Sequence, residues 1–114
     1  MRTPNLCRVT VEPLEEARLI RVSGELDMST APTLSHELQA ARDDGIAAVL
    51  DLSNVTLIDS TGLNLLLGAS RDSAGSEWGF FILRPSDVVQ RLIALSRTAD
   101  LLTLIDPARE RVLG

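Results

Sequence analysis

The run Ile46-Ala47-Ala48-Val49-Leu50-Asp51-Leu52 is apolar at odd and even positions alike. A strand with one wet face alternates, whereas a strand covered on both faces does not. Residues 78–83, Trp78-Gly79-Phe80-Phe81-Ile82-Leu83, repeat the pattern. Between the two lies a segment with leucines at three- and four-residue steps, the period of a helix. Two doubly covered strands separated by one helix run parallel, joined by a right-handed crossover. That requirement confines the chain to an α/β sheet.

The remaining elements follow from local pattern. Cys7, Val9 and Val11 alternate with Arg8, Thr10 and Glu12, which predicts a half-buried strand. Residues 13–16 read as a turn into a second strand over 18–23, antiparallel to the first. Gly24-Glu25-Leu26-Asp27 ends that strand. Ser29 or Thr30 then caps a helix, with Pro32 in its first turn, where a missing N–H costs little. Ala31, Leu34, Leu38 and Ala41 form its apolar face, His36 and Glu37 fall outside it, and Gly45 stops it. Ser53-Asn54 punctuates the central strand. A second helix is expected over 60–72, with Leu63, Leu66, Leu67 and Ser70 on one face. Ser86 caps a third, with Asp87 where the helix dipole favours an acid and Val88, Val89, Leu92, Ile93 and Leu95 as its buried side. A short strand over 102–105 and a terminal helix from Asp106-Pro107 to Gly114 complete the order ββαβαβαβα. The expected fold is α/β: a single mixed, mostly parallel sheet of four to five strands with helices packed on it.

At 114 residues the chain suits one domain, expected over 7–114 behind a flexible tail at 1–6. Its net charge of −5 argues against nucleic acid or an anionic membrane as main partner. No run reaches the roughly 18–20 apolar residues of a membrane span, and no signal peptide is evident. The single cysteine excludes an internal disulfide and suits a reducing cytoplasm.

In a parallel sheet the strand-to-helix loops gather at one edge, and sites in open α/β sheets lie there. Residues 24–29, 55–62 and 84–86 are those loops, so Asp27, Ser60 and Arg84 are expected on one rim. Asp59-Ser60-Thr61-Gly62-Leu63 places an acid, two hydroxyls and a glycine where a strand hands over to a helix. Backbone N–H groups there lack intrahelical partners and the dipole is positive. A phosphate on Ser60 would meet a ready-made anion site. Taken alone, the stretch is equally a helix cap. A Ser-His-Asp hydrolase needs His36 beside Ser60, but His36 is the only histidine and sits on the polar side of a helix. Ser60 also lacks the Gly-x-Ser-x-Gly elbow. No phosphate-cradling loop occurs, so neither a catalytic residue nor a metal or cofactor site is expected.

Gly24-Glu25-Leu26-Asp27 followed by Asp59-Ser60-Thr61-Gly62-Leu63 resembles the STAS domain, and more narrowly the bacterial anti-sigma factor antagonists. The likeness runs from about Arg8 to Ile105. It implies a phosphorylation switch in place of an enzyme. Ser60, directly after the aspartate, is then the phosphoacceptor, with Thr61 the lesser candidate. The partner it implies is an anti-sigma factor serine kinase, an ATPase of histidine-kinase-like type, which supplies any ATP and magnesium. A phosphatase acting on Ser60 restores the unmodified form. Asp27, Met28, Asp59, Thr61 and Gly62 form the implied contact rim. Asn64 stands where the family often has a second glycine. The same motifs occur in STAS modules of stress-signalling scaffolds and lipid-transport complexes, whose partner is not a kinase.

Overall fold

The computed structural model describes residues 8–105. Cys7, the tail over 1–6 and the terminal helix expected after Asp106 lie outside the described residues. The elements are β1 (Arg8–Pro13), β2 (Ala17–Leu26), α1 (Ala31–Asp43), β3 (Ala47–Ile58), α2 (Ser60–Ala74), β4 (Phe80–Leu83), α3 (Asp87–Ser96) and β5 (Leu104–Ile105). A 3-10 turn, Ala99–Leu101, precedes β5. The sheet order is β1-β2-β3-β4-β5, with β1 antiparallel to β2 and every other pair parallel.

Each crossover advances the sheet by one strand in the same direction. Right-handed connections of that kind put all their helices on one face, and the main core lies there. Ile20, Leu50 and Ile82 of the sheet pack with Leu34 and Leu38 of α1, Leu63 and Leu66 of α2, and Val89 and Ile93 of α3. On the opposite face Leu19, Val49 and Leu83 form a smaller buried cluster. Both parities of the run over 46–52 are thus accounted for, as its composition requires.

Strand lengths depart from expectation. β3 has 12 residues and β4 only 4. Ser53-Asn54 lies inside β3, which goes on to Ile58, and the register against β2 shifts between Arg21 and Ser23 and again between Gly24 and Glu25. The first irregularity has a local cause. Asp51, only 5% exposed, accepts the Ser53 N–H on Oδ1 at 2.9 Å. Its Oδ2 lies 3.5 Å from Arg84 Nη1 and 3.8 Å from Arg21 Nε. A backbone donor displaced from the ladder by a bulge needs another acceptor, and the acid in the apolar run supplies it. Replacing Asp51 with alanine is expected to cost about 1.5–3 kcal/mol, the range for losing a hydrogen bond to a charged group. Asp51→Asn, which keeps an acceptor oxygen, should recover part of that loss in urea unfolding. An Asp51→Ala variant as stable as the parent would show that the bulge needs no such acceptor.

β2 likewise continues through Gly24, at φ 91°, to Leu26. Val11 on the edge strand is 41% exposed and Leu95 on α3 is 75% exposed, so neither belongs to the core. His36 is exposed as expected, and Glu37 is half-buried. Trp78 precedes β4 and does not start it. Its ring stacks on Phe80 at 5.8 Å, and its Nε1–H donates to the Ile46 carbonyl at 2.9 Å.

Candidate functional site

β2 and β3 end side by side, with Leu26 opposite Ile58 in the register. The chain leaves β2 into a turn at Asp27 and leaves β3 into α2 through the single residue Asp59. The two exits are tied together. The Asp59 N–H donates to the Leu26 carbonyl at 3.3 Å. Gly62, in the first turn of α2, lies so close to Leu26 that a Cβ there would sit 2.7 Å from the same carbonyl oxygen. The glycine is therefore required by close approach of the two segments.

Asp59 is the N-cap of α2, with extended backbone at φ −110° and ψ −173°. Its Oδ1 accepts the Gly62 N–H at 3.0 Å, which satisfies one of the orphan donors of the helix start. Ser60, the first helical residue, is exposed, and its hydroxyl has no partner among the described residues. Thr61 is half-buried. The acid thus caps the helix and leaves the serine open to solvent.

The Asp27 turn is a closed hydrogen-bond set. Asp27 Oδ1 accepts from the Ser29 hydroxyl at 2.7 Å and the Ser29 N–H at 3.0 Å. Thr30 is the N-cap of α1 by position but makes no side-chain cap bond. Its hydroxyl donates to the Glu25 carbonyl at 2.7 Å and accepts the Asp27 N–H at 2.9 Å. The Ser29 hydroxyl, ahead of smaller contributions from the Ser29 and Thr30 backbone and the Thr30 side chain, holds the Asp27 carboxyl below its usual value of 3.8. A depressed carboxylate pKa adds stability above the unfolded value and loses it as pH falls through the lower folded value, so this turn loosens only in acid below the ordinary aspartate range. Ser29→Ala is expected to move the Asp27 midpoint upward in a carboxyl-carbon NMR titration. An unchanged midpoint would remove the hydroxyl as the principal cause.

Met28 at the tip is 74% exposed. Leu57, two residues before Asp59, is 45% exposed and pairs in register with Glu25. Nothing in the sequence alone singles out Leu57. The apolar-polar alternation that would have marked its direction is broken by the second bulge.

Arg84 is not on this rim. Asp51 is opposite Leu83 in the register, so β4 ends seven residues short of Ile58. At about 3.3 Å per residue that is roughly 23 Å along the strand. Arg84, in the left-handed region at φ 51°, is held at the level of Asp51. Ser86 is the N-cap of α3 by position, but its hydroxyl donates to the Val55 carbonyl at 2.7 Å and makes no cap bond. Asp27, Met28, Asp59, Ser60, Thr61 and Gly62 do stand at the neighbouring ends of β2 and β3. Among the described residues no group of three or more His, Cys, Asp or Glu side chains is arranged for a metal ion, and no helix is long and apolar enough to cross a membrane.

A sequential five-stranded sheet with one antiparallel edge, its helices on one face and an Asp-Ser pair opening α2, defines a class. The chain belongs to the STAS domain family: the family described as "Mlab, STAS domain" matches residues 9–105. Its relatives are anti-sigma factor antagonists. The anti-sigma-B factor antagonist of Staphylococcus aureus (strain NCTC 8325 / PS 47) is 36% identical over 84 residues, 73% of this chain and 78% of that protein. The crystal structure of an anti-sigma factor antagonist from Mycobacterium paratuberculosis is similar at TM-score 0.81 and 31% identity, covering 99% of this chain and 96% of that one. The anti-sigma factor antagonist SpoIIAA in its unphosphorylated form shares the fold at TM-score 0.74 and 21% identity, over 93% of each chain.

Proposed function

We propose that this protein is an anti-sigma factor antagonist whose partner binding is set by the charge on Ser60. In the unphosphorylated form it binds an anti-sigma factor that is itself a serine kinase of the histidine-kinase-like ATPase type, and a sigma factor is released. Phosphorylation of Ser60 blocks that contact until a phosphatase removes the group. The rim that meets the partner is Asp27, Met28, Asp59, Thr61 and Gly62. The protein is a cytoplasmic binding module and a kinase substrate, without turnover of its own.

The observation that carries this reading is the arrangement of Asp59 and Ser60. The acid caps the helix through the Gly62 N–H, and the exposed hydroxyl beside it makes no hydrogen bond among the described residues. The 36% identity to an anti-sigma-B factor antagonist supports the partner class. Incubation with ATP and the histidine-kinase-like ATPases of the same genome, followed by mass spectrometry, tests it. One phosphate on Ser60 is expected. Modification at Thr61 alone, or none with any such kinase, would overturn the assignment.

A further inference from the structure

α1 and α2 lie side by side with their N-termini toward the Asp27–Ser60 rim, and a groove of about 240 Å³ runs between them. Ser35, Leu38 and Gln39 of α1 face Asn64, Leu65 and Gly68 of α2 across it. Its far end is closed by the ion pair between Arg42 Nη1 and Asp72 Oδ2 at 3.1 Å, with the Arg42 guanidinium 5.9 Å from the centre of the Trp78 ring.

Gly68 is the feature that calls for a reason. Glycine inside a helix is destabilising relative to alanine. Gly62 repays that cost through its contact with Leu26, but a Cβ on Gly68 would meet nothing within 4 Å. No neighbour in the fold excludes a side chain at this position, so the space above it is open to an outside group.

We infer that the groove over Gly68 is the second half of the anti-sigma factor contact and receives an apolar side chain of that partner. The inference rests on the proposed function and extends it. Ser60, Asn64 and Gly68 stand four residues apart in succession, on one side of α2. Gly68 is about 12 Å along the helix from Ser60 at 1.5 Å per residue. A stable interface covers about 800 Å² on each partner, a patch on the order of 30 Å across. A partner seated on Ser60 and extending along α2 therefore reaches Gly68. The floor of Leu38, Leu65 and Ala69 suits one apolar side chain, and Ser35, Gln39 and Asn64 offer hydrogen bonds around it. This places Asn64 at the mouth of the groove, one turn from the switch residue.

The test compares Gly68→Ala, Gly68→Leu and Ser60→Asp in the full chain, titrated with the kinase that modifies Ser60. Gly68→Ala is expected to raise the Tm by roughly 4 °C. Gly68→Leu fills the groove from within and should keep the parent Tm while weakening the complex at least tenfold. Trp78 is the single tryptophan of the chain, so a fluorine label on its indole should shift in the complex. If Gly68→Leu binds within twofold of the parent while Ser60→Asp does not bind, the groove inference fails and the Ser60 reading stands. If Ser60→Asp binds as the parent does, both fail. A change in the sedimentation coefficient of the unbound protein on Gly68→Leu would assign the groove to a second copy of this chain and overturn the inference.

Discussion

Ser60→Asp is expected to fold with the parent Tm and to bind the anti-sigma factor at least about 100-fold more weakly. That factor corresponds to about 2.7 kcal/mol. The fold has no reason to resist the new charge. Ser60 is exposed at the positive end of α2, and anions are favoured in the first turn. The binding surface has ample reason. Asp27 and Asp59 already stand at the neighbouring exits of β2 and β3, and the chain carries a net charge of −5. A partner that covers Ser60 must strip water from any charge placed there, and burying an unpaired carboxylate costs more than the required amount. A phosphate, with about −1.5 to −2 charges, acts in the same direction and more strongly. Ser60→Ala is the companion: it should bind as the parent does and resist inactivation by kinase and ATP. Calorimetric titration with the kinase reads both, and a Ser60→Asp affinity equal to the parent's would end the electrostatic account of the switch. No refolding is invoked, because the Asp59–Gly62 and Asp59–Leu26 bonds that fix the helix start do not involve the serine side chain.

The parts of this molecule that could be read in the sequence are those with a short period. The doubly apolar run over 46–52 and the stripe Ala31, Leu34, Leu38, Ala41 each state their burial within a few residues, and all four stripe positions are buried. The pairing of Asp27 with Ser60 was legible because adjacent parallel strands that end together bring their exits together. The place of Arg84 is hidden in the sequence for a related reason. Strand order alone does not fix where a loop stands, and the polar pair Ser53-Asn54 conceals the length of β3. That pair looks like the end of a strand because nothing local reveals that Asp51 satisfies the Ser53 N–H and lets the ladder resume. The hydroxyls of Thr30 and Ser86 occupy cap positions, as their types suggest, but bond to the Glu25 and Val55 carbonyls instead. The Val55 carbonyl belongs to β3 and lies 31 residues from Ser86, outside any local window, whereas the Glu25 carbonyl is near in sequence but is brought to Thr30 only by the turn at Asp27. Leu95 shows the converse. Five apolar residues on α3 exceed what one helix face can bury, and the sheet takes Val89 and Ile93 fully.

Gly62→Ala should separate two kinds of helical glycine. Alanine gains about 1 kcal/mol of helix propensity at either Gly62 or Gly68. At Gly62 the new Cβ would lie 2.7 Å from the Leu26 carbonyl oxygen and 3.0 Å from both Ile58 Cγ1 and Leu26 Cγ. The first of these is backbone at the end of a buried strand, and Leu26 itself is fully buried, so neither can turn aside. Overpacking costs about 1–3 kcal/mol. An approach of 2.7 Å to a fixed backbone atom belongs in the upper part of that range, about 2–3 kcal/mol. With the propensity gain deducted, a net loss of about 1–2 kcal/mol is expected. Thermal unfolding should then fall by roughly 5–15 °C, opposite in sign to the same substitution at Gly68. The loss should also reach function. α2 can relieve the contact only by moving away from Leu26, which lengthens the Asp59 N–H bond to the Leu26 carbonyl and carries Ser60 away from the Asp27 turn. Gly62→Ala should therefore slow phosphorylation of Ser60 and weaken partner binding at temperatures where the variant is still folded. A Gly62→Ala protein with parent stability would mean that α2 seats on β2 with slack, and the single rim formed by the two strand exits would lose its structural basis.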